Sequence, residues 1–193
     1  QYIIPISVSQ DTAGTMTKTV MGAALMMNAM ATTTPNTDYS AGLTKDALKG
    51  VRVGVLNFAK GDSAPILEHF KTALSDLKDA GASLVNIDER PETPNNFGGM
   101  SYDILKYEFK DGLNTYLAST SPEQVMPRNL QQLIDFNEAH KEIELVLFDQ
   151  SIFVASQAMN SLESEGYRTA VEAVQNSTRQ EGIDRLLQEY NVQ

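Results

Sequence analysis

One pair of residues in this 193-residue chain has the spacing of a catalytic site. Ser75 and Lys78 form a Ser-x-x-Lys pattern, in which a lysine beside a serine can activate its hydroxyl as a nucleophile. The pair lies within a helical pattern of leucines, and the Ser-Asp-Asn and Lys-Thr-Gly motifs that complete such a site are absent. We therefore interpret Ser75 and Lys78 as part of a solvated helix face.

The sequence gives little evidence for a metal site or a nucleotide-binding site. The two histidines, His69 and His140, are far apart and lack the H-E-x-x-H spacing of a zinc site. The chain has no cysteine, which excludes disulfides, thiolate metal sites and a cysteine nucleophile. The glycines at 50 and 54 lie at the start of a predicted strand and lack the rest of a dinucleotide fingerprint. We expect neither a cofactor nor a metal.

Composition and net charge limit the classes of protein to which this chain can belong. The formal net charge of −10 disfavours binding to nucleic acid or to an anionic membrane, because phosphates repel such a surface. An apolar fraction of 41% is enough for a folded core. The apolar stretch over residues 20–30 is too short to span a bilayer, and no basic residues precede it as they would in a signal peptide. These features predict a soluble, cytoplasmic protein.

The first part of the chain predicts a strand and a buried helix. Residues 2–6 are mostly apolar and predict a short strand, and a polar loop follows at 9–14. Residues 18–31 are apolar on all sides, which is typical of a buried helix, with Thr15 or Thr17 as its N-cap. Residues 32–44 are polar and predict a linker.

The next stretch predicts a parallel pair of strands. Residues 51–58 and 84–87 are rich in β-branched residues. Between them, a helical pattern begins after Ser63 with Pro65 in its first turn and ends at Gly81. A strand, a helix and a second strand in this order form a βαβ unit, whose strands are parallel.

Helices dominate the remainder. After a loop at 89–99, we predict helices at 101–118, after an Asn129 N-cap, at 151–161 and at 167–190. The fold class is therefore α/β, with few, mostly parallel strands and about six helices. We interpret 1–193 as a single partial domain, in which 1–31 holds a strand and a helix, 45–88 the βαβ unit and 100–190 a helical region. So small a sheet leaves strand edges unpaired, which suggests that partner strands lie outside this chain.

A family resemblance carries the functional argument. The stretch PISVSQDTAGTMTKTV, which begins at Pro5, resembles the P-I-S-x-S-Q-D-T-A-G-P-M-x-R-T-V pattern of the amidase signature family. The departures are Thr15, Lys18 and, two residues after the pattern, Gly22, where the family has proline, arginine and aspartate. Weaker similarity, partly to the peptide-amidase-like branch, follows in the same order at 46–55, 107–117, 127–137 and 148–153, with Asp149 in place of a glycine.

The resemblance implies a hydrolase of linear carbon–nitrogen amide bonds. Family members use a nucleophilic serine, a bridging serine in a cis peptide and a lysine base, all upstream of the stretch that begins at Pro5. This sequence has no Ser-Ser dipeptide, and Gly98-Gly99 is its only Gly-Gly. We therefore interpret the chain as an internal fragment of an amidase that holds none of the catalytic residues and is inactive by itself.

The resemblance also suggests residues near the substrate. Gln10 and Asp11 are candidates for the edge of the substrate pocket, with bracing of the local turn as the alternative for Asp11. Phe148, Gln150 and Phe153 are candidates for the wall of the substrate channel, with a helix core face as the alternative for the phenylalanines.

Two alternatives to the fragment remain open. The chain could be a non-catalytic α/β binding or interaction domain related to amidases, or one chain of a split amidase that is active only when paired again. The expected partners are a small-molecule amide substrate in the full-length parent and no nucleic acid. Unpaired sheet edges further predict self-association or pairing with the missing segment.

Overall fold

The computed structural model describes residues 3–31 and 37–193. The chain forms two compact units, each built from two stretches of sequence. The first unit comprises Gln1–Thr12 and Thr93–Ser177, and the second comprises Ala13–Glu92 and Thr178–Gln193. Two parallel strands accompany a larger number of helices, which confirms the α/β fold class. The description of 1–193 as a single partial domain stays a prediction.

The second unit contains the predicted βαβ arrangement. Strand β1 (Arg52–Leu56) pairs in parallel with β2 (Ser83–Ile87), and helix α2 (Ala64–Asp79) connects them after a short 3₁₀ turn at Asn57–Ala59. Gly81 follows the helix with φ +97°, a conformation that a residue with a Cβ rarely adopts. Both strands and the helix thus form in the predicted order, although the first strand ends at Leu56 and residues 57–58 belong to the 3₁₀ turn.

The sheet packs against the end of the chain. Ile87, Leu186 and Val192 are buried together, and α8 (Asp184–Tyr190) contributes Leu186 to this cluster. Gly54 makes the contact possible, because a Cβ at that position would lie 2.9 Å from Val192 Cγ2. The last residues are also tied to β1 by hydrogen bonds, since the amide of residue 193 donates to the Arg52 carbonyl.

Helix α1 (Val20–Met30) differs from its prediction in two ways. Its N-cap is Thr19, whose Oγ1 accepts from the Gly22 amide at 3.0 Å, so neither Thr15 nor Thr17 caps it. The prediction of a buried helix is wrong for this chain, because Ala24 is its one buried residue. An all-round apolar helix needs neighbours on every side, whereas most positions of this helix are exposed in the described structure.

The predicted strand at 2–6 is also wrong over its described residues, 3–6. The amides of Ile6 and Ser7 donate to the Asp11 carboxylate, so a local turn satisfies backbone donors that a strand would direct to a neighbour. Residue 2 and residues 32–36 of the predicted linker lie outside the described residues.

The first unit is helical where the structure describes it. Its longest helix begins four residues before the predicted start, and a short helix that the sequence pattern missed follows α4. The helices are α3 (Phe97–Ser119), α4 (Leu130–Ala139), α5 (Lys141–Glu144), α6 (Ser151–Gln157) and α7 (Glu165–Gln175).

Buried leucines form the core of this unit, and one arginine hydrogen-bonds the end of its longest helix. Leu113, Leu117 and Leu130 form its core cluster. The Asn129 side chain caps α4 by accepting from the Gln132 amide, as predicted. Arg128 donates to the carbonyls of 118, 120 and 125 and to the Thr120 hydroxyl, so its guanidinium satisfies the end of α3 and the loop that follows.

The helix predicted at 167–190 is interrupted. After α7 the chain forms wider π-helical turns at Asn176–Ile183 and then continues as α8. Gly182 has φ −101° and ψ −112°, which breaks the helical path. Across 3–31 and 37–193, no helix combines the length and apolarity that a membrane span requires.

Candidate functional site

A buried carboxylate lies at the centre of the first unit. Glu108, on α3, is only 2% exposed and accepts three hydrogen bonds. Its Oε2 accepts from the Ser7 hydroxyl at 2.5 Å and from the Ser9 amide at 2.9 Å, and its Oε1 accepts from the Tyr167 hydroxyl at 2.6 Å. One side chain therefore joins the Ser7–Asp11 turn, helix α3 and helix α7.

Burial and hydrogen bonding act in opposite directions on the pKa of Glu108. Burial acts to raise the pKa, since the carboxylate is removed from water. Donation from Ser7, Tyr167 and Ser9 stabilises the charged form, and the pKa is lowered from its ordinary value. Glu108 is consequently an anion that the folded unit solvates with its own donors.

Tyr167 supplies one of these donors. Burial, the hydrogen bond to Glu108 and the negative charges of Glu108 and Asp111 together raise the pKa of Tyr167 to about 12. Its ring also meets Tyr107 edge to face, with centroids 5.5 Å apart. Tyr167 is thus held as a neutral hydrogen-bond donor.

The turn above Glu108 is closed by Asp11. Its Oδ2 accepts from the amides of Ile6 and Ser7 at 2.9 and 3.0 Å. The amide of Asp11 itself donates to the Ser7 carbonyl at 2.8 Å. The structure therefore shows Asp11 bracing the turn. The neighbouring Gln10 is exposed and reaches the Ser101 carbonyl with its Nε2 at 3.5 Å.

The Ser7–Glu108 pair resembles part of a catalytic triad but lacks its chemistry. Ser7 has no exposed surface, so its hydroxyl cannot reach a substrate in this conformation. A carboxylate with a lowered pKa is also a poor general base. The arrangement holds the turn in place, and we assign it no bond-breaking role.

The other predicted site residues lie around α6. Gln150 precedes this helix, donates to the Ile134 carbonyl and accepts from Asn137. Phe148 is 81% exposed, so it belongs to no core face in this chain. Phe153 packs on Phe109 with centroids 5.3 Å apart and lines the core, as the alternative interpretation holds.

The structure keeps the two pairs of candidate residues in separate environments. Gln10 and Asp11 lie by the turn above Glu108, whereas Gln150 contacts α4. No hydrogen bond within 3–31 and 37–193 joins one pair to the other. In that same part of the chain, no group of three acidic or histidine side chains is placed to hold a metal ion.

A cavity of about 650 Å³ opens beside the buried carboxylate. Ile3, Pro5 and Val8 line one part of it, and a face of α3 that includes Glu108 and Asp111 lines another. Gly112 lets these parts approach, because a Cβ there would lie 2.9 Å from Pro5 Cγ. None of the four predicted substrate-binding residues lines this cavity.

The sequence pattern did not single out Glu108 or Tyr167. The sequence signal is weak: Glu108 follows the apolar Ile104 by one helical turn, and the structure shows that Ile104 is buried. A charged residue on a buried helix face requires partners. The partners lie 101 and 59 residues away, at Ser7 and Tyr167, so no local pattern identifies them.

Comparisons with known proteins give the family. The sequence profile of the amidase family matches residues 1–192. A probable amidase from Arabidopsis thaliana is 30% identical, with 97% of this chain and 38% of the relative covered. This chain belongs to the amidase family. The resemblance to amidase signature proteins is thereby confirmed.

Solved structures agree with this assignment. A peptide amidase in complex with the competitive inhibitor chymostatin has a TM-score of 0.86 and 33% identity, with 98% of this chain and 40% of that chain covered. The native peptide amidase from Stenotrophomonas maltophilia has a TM-score of 0.82 at 33% identity, with the same coverage. This chain thus spans about two fifths of the length of these relatives.

Proposed function

We propose that this chain is a scaffold portion of an enzyme that hydrolyses linear carbon–nitrogen amide bonds. Membership in the amidase family and the likeness to peptide amidases over nearly the whole chain carry this proposal. The coverage of about 40% of those structures supports the interpretation that other parts of the enzyme supply the catalytic groups.

The proposed mechanism uses two serines and a lysine outside this sequence. A desolvated lysine is neutral near physiological pH, so it can accept a proton through a bridging serine hydroxyl from the nucleophilic serine. The nucleophile then attacks the amide carbonyl, and backbone amides stabilise the oxyanion. The carbon–nitrogen bond breaks as the amine leaves with the proton that the lysine took up, and water hydrolyses the serine ester that remains. In the described residues, no serine hydroxyl hydrogen-bonds a lysine ammonium, which supports this division of labour.

Glu108 suggests what this chain contributes. Its three hydrogen bonds fix the turn in the sequence block that most closely follows the family pattern. A turn fixed by buried bonds loses little entropy when a substrate binds beside it. We propose that Gln10 and Asp11 lie at the edge of the complete pocket, as the family resemblance implies, with Asp11 acting as the brace of the turn.

Phe148 and Gln150 are proposed as parts of the channel wall. The exposed phenyl ring of Phe148 offers apolar surface, and Gln150 is fixed by its bonds to α4. The proposed partners are a small amide substrate and the polypeptide that carries the catalytic serines. Pairing with that polypeptide would also cover the exposed faces of α1, which otherwise favour self-association.

Measuring ammonia release from C-terminally amidated peptides tests the proposal. We expect background rates from the 193-residue chain and turnover from the product of the complete reading frame that contains it. Circular dichroism melts confirm that both samples are folded. Turnover by the 193-residue chain would refute its catalytic incompleteness. Inactivity of both products towards linear amides would instead favour a non-catalytic binding domain.

A further inference from the structure

The cavity beside Glu108 has apolar walls, and two carboxylates line it. Ile3, Pro5, Val8 and Leu162 line it with aliphatic carbon, and Ile3 and Val8 are 78% and 80% exposed. A volume of about 650 Å³ lies within the range of small-molecule sites. An apolar body that entered the cavity would cover this exposed surface.

Two carboxylates of α3 line the same cavity. Glu108 is an anion whose oxygens are occupied by Ser7, Ser9 and Tyr167. Asp111 lies one turn further along α3, is exposed, and forms no ion pair with any described residue. Its charge nevertheless acts on Tyr167, whose pKa it helps to raise. Asp111 is therefore free to meet a cation.

The lysines and arginines of this unit are engaged elsewhere. The unit has five of them, and four point to partners outside the cavity. Lys106 pairs with Asp103, Lys110 donates to the carbonyls of 157 and 159, Lys141 pairs with Glu138, and Arg168 pairs with Glu163.

Arg128 is the fifth of these residues and contacts Thr120, which lines one end of the cavity. Its guanidinium is already held by Thr120 and by the carbonyls of 118 and 125. It does not itself line the cavity. No lysine or arginine of the described residues therefore compensates the two carboxylates inside the cavity.

From this arrangement we infer that the cavity is a binding site for a small amphipathic amine. The ammonium group lies against Asp111, and a short aliphatic or aromatic body lies along Ile3, Val8 and Leu162. A ligand of this class carries both a positive charge that Asp111 attracts and an apolar body that covers the aliphatic cavity walls. The inference concerns binding alone, and it does not depend on the proposed amide hydrolysis.

Titration of the 193-residue chain with three matched probes tests the site. Hexylamine, hexanol and hexanoate share an apolar body and differ in charge. Calorimetry gives the affinities, and amide shifts of Gly112 and Thr115 in nuclear magnetic resonance spectra locate the site. We expect hexylamine to bind about fivefold more tightly than hexanol, because Asp111 is exposed, and to weaken as salt rises, with hexanoate weakest.

Two aspartates of α3 provide the variants. Asp111→Asn should reduce hexylamine binding to the level of hexanol. Asp103→Asn is the matched control, because Asp103 lies on the same helix, pairs with Lys106 and does not line the cavity. Its hexylamine affinity should stay unchanged, and thermal melts should show both variants folded.

Several results would overturn the inference. Equal binding of hexylamine and hexanol, or shifts remote from Gly112, would remove the amine site. An Asp111→Asn variant that keeps the amine preference would remove the role of that carboxylate. A lysine-containing peptide that binds tenfold more tightly than hexylamine would transfer the site from a small ligand to a polypeptide partner.

Discussion

Glu108 shows how a charge can be buried in a small unit. Its carboxylate is removed from water, and three donors from distant parts of the chain replace the lost solvation. A buried anion is expensive once a donor is lost, because the remaining charge is left unsatisfied.

Replacing Glu108 by glutamine removes the charge and keeps the shape. A glutamine amide presents one acceptor oxygen instead of two, and its NH₂ group meets a donor. We expect the free energy of unfolding to fall by about 2 kcal/mol. Urea melts of Glu108→Gln measure this loss. Glu123→Gln is the control, since Glu123 is exposed, and its change should stay within about 0.5 kcal/mol. Equal losses in both variants would contradict the account.

The stability of the folded chain at acidic pH should also depend on Glu108. The pKa of Glu108 is lower in the folded chain than its ordinary value of 4.5. Its contribution to stability is therefore complete above pH 4.5 and declines as the pH falls through the folded-state pKa. Melts over an acidic pH series should show a smaller acid destabilisation in Glu108→Gln than in the parent chain. A parallel decline in both would count against an ionised Glu108.

The raised pKa of Tyr167 should be detectable in an alkaline titration. Its folded-state pKa of about 12 exceeds the ordinary value of 10. The stability it contributes is thus complete below pH 10 and is lost as the pH rises through 12. Tyrosinate absorbance should contain a component near pH 12 that disappears in Tyr167→Phe. Loss of a component near pH 10 instead would show that the Glu108 bond does not hold the proton.

At the scale of elements, Gly54 joins the sheet to the end of the chain. The space above this glycine is filled by two side chains, since a Cβ at residue 54 would lie 2.9 Å from Val192 and 3.1 Å from Ile87. The cluster of Ile87, Leu186 and Val192 depends on that close approach. Overpacking at such a position displaces side chains or backbone.

Gly54→Val should therefore lower the free energy of unfolding by about 1–3 kcal/mol, although valine suits a strand. Denaturant melts measure the change. Gly98→Ala is a control on α3, where a Cβ meets nothing within 4 Å and alanine favours the helix. Its stability should be equal or slightly higher. A neutral Gly54→Val would mean that Val192 does not pack on β1.

Local patterns predict the elements whose signals are complete in the sequence. The βαβ strands, the Pro65 start, the Gly81 end and the Asn129 cap all form as expected. Each depends on residues within a few positions of one another, so composition and spacing suffice.

Elements that depend on distant partners are predicted poorly. The Ile6 amide, at the end of the stretch expected to form a strand, and the following Ser7 amide are instead bound by Asp11. Helix α1 has an apolar circumference but is largely exposed in the described structure. The sequence pattern did not predict the buried site for a related reason. Glu108 is stabilised by hydrogen bonds from Ser7 and Tyr167, which are distant from it in the sequence.

At the scale of the whole molecule, this chain matches the amidase profile over 1–192 and spans about two fifths of its relatives. The proposed division places structural bracing here and bond cleavage elsewhere in the enzyme. Ser7 is the serine of this chain that most resembles a catalytic group, yet it is fully buried against Glu108. The location of the reactive serine, within or outside residues 1–193, therefore tests the proposed division.

That location can be measured directly. The product of the complete reading frame is treated with a serine-directed fluorophosphonate, and peptide mass spectrometry identifies the modified residue. The account predicts stoichiometric labelling, parallel to loss of amidase activity, at a serine outside residues 1–193. Inactivating modification of Ser7, Ser9 or any other serine within this chain would contradict it.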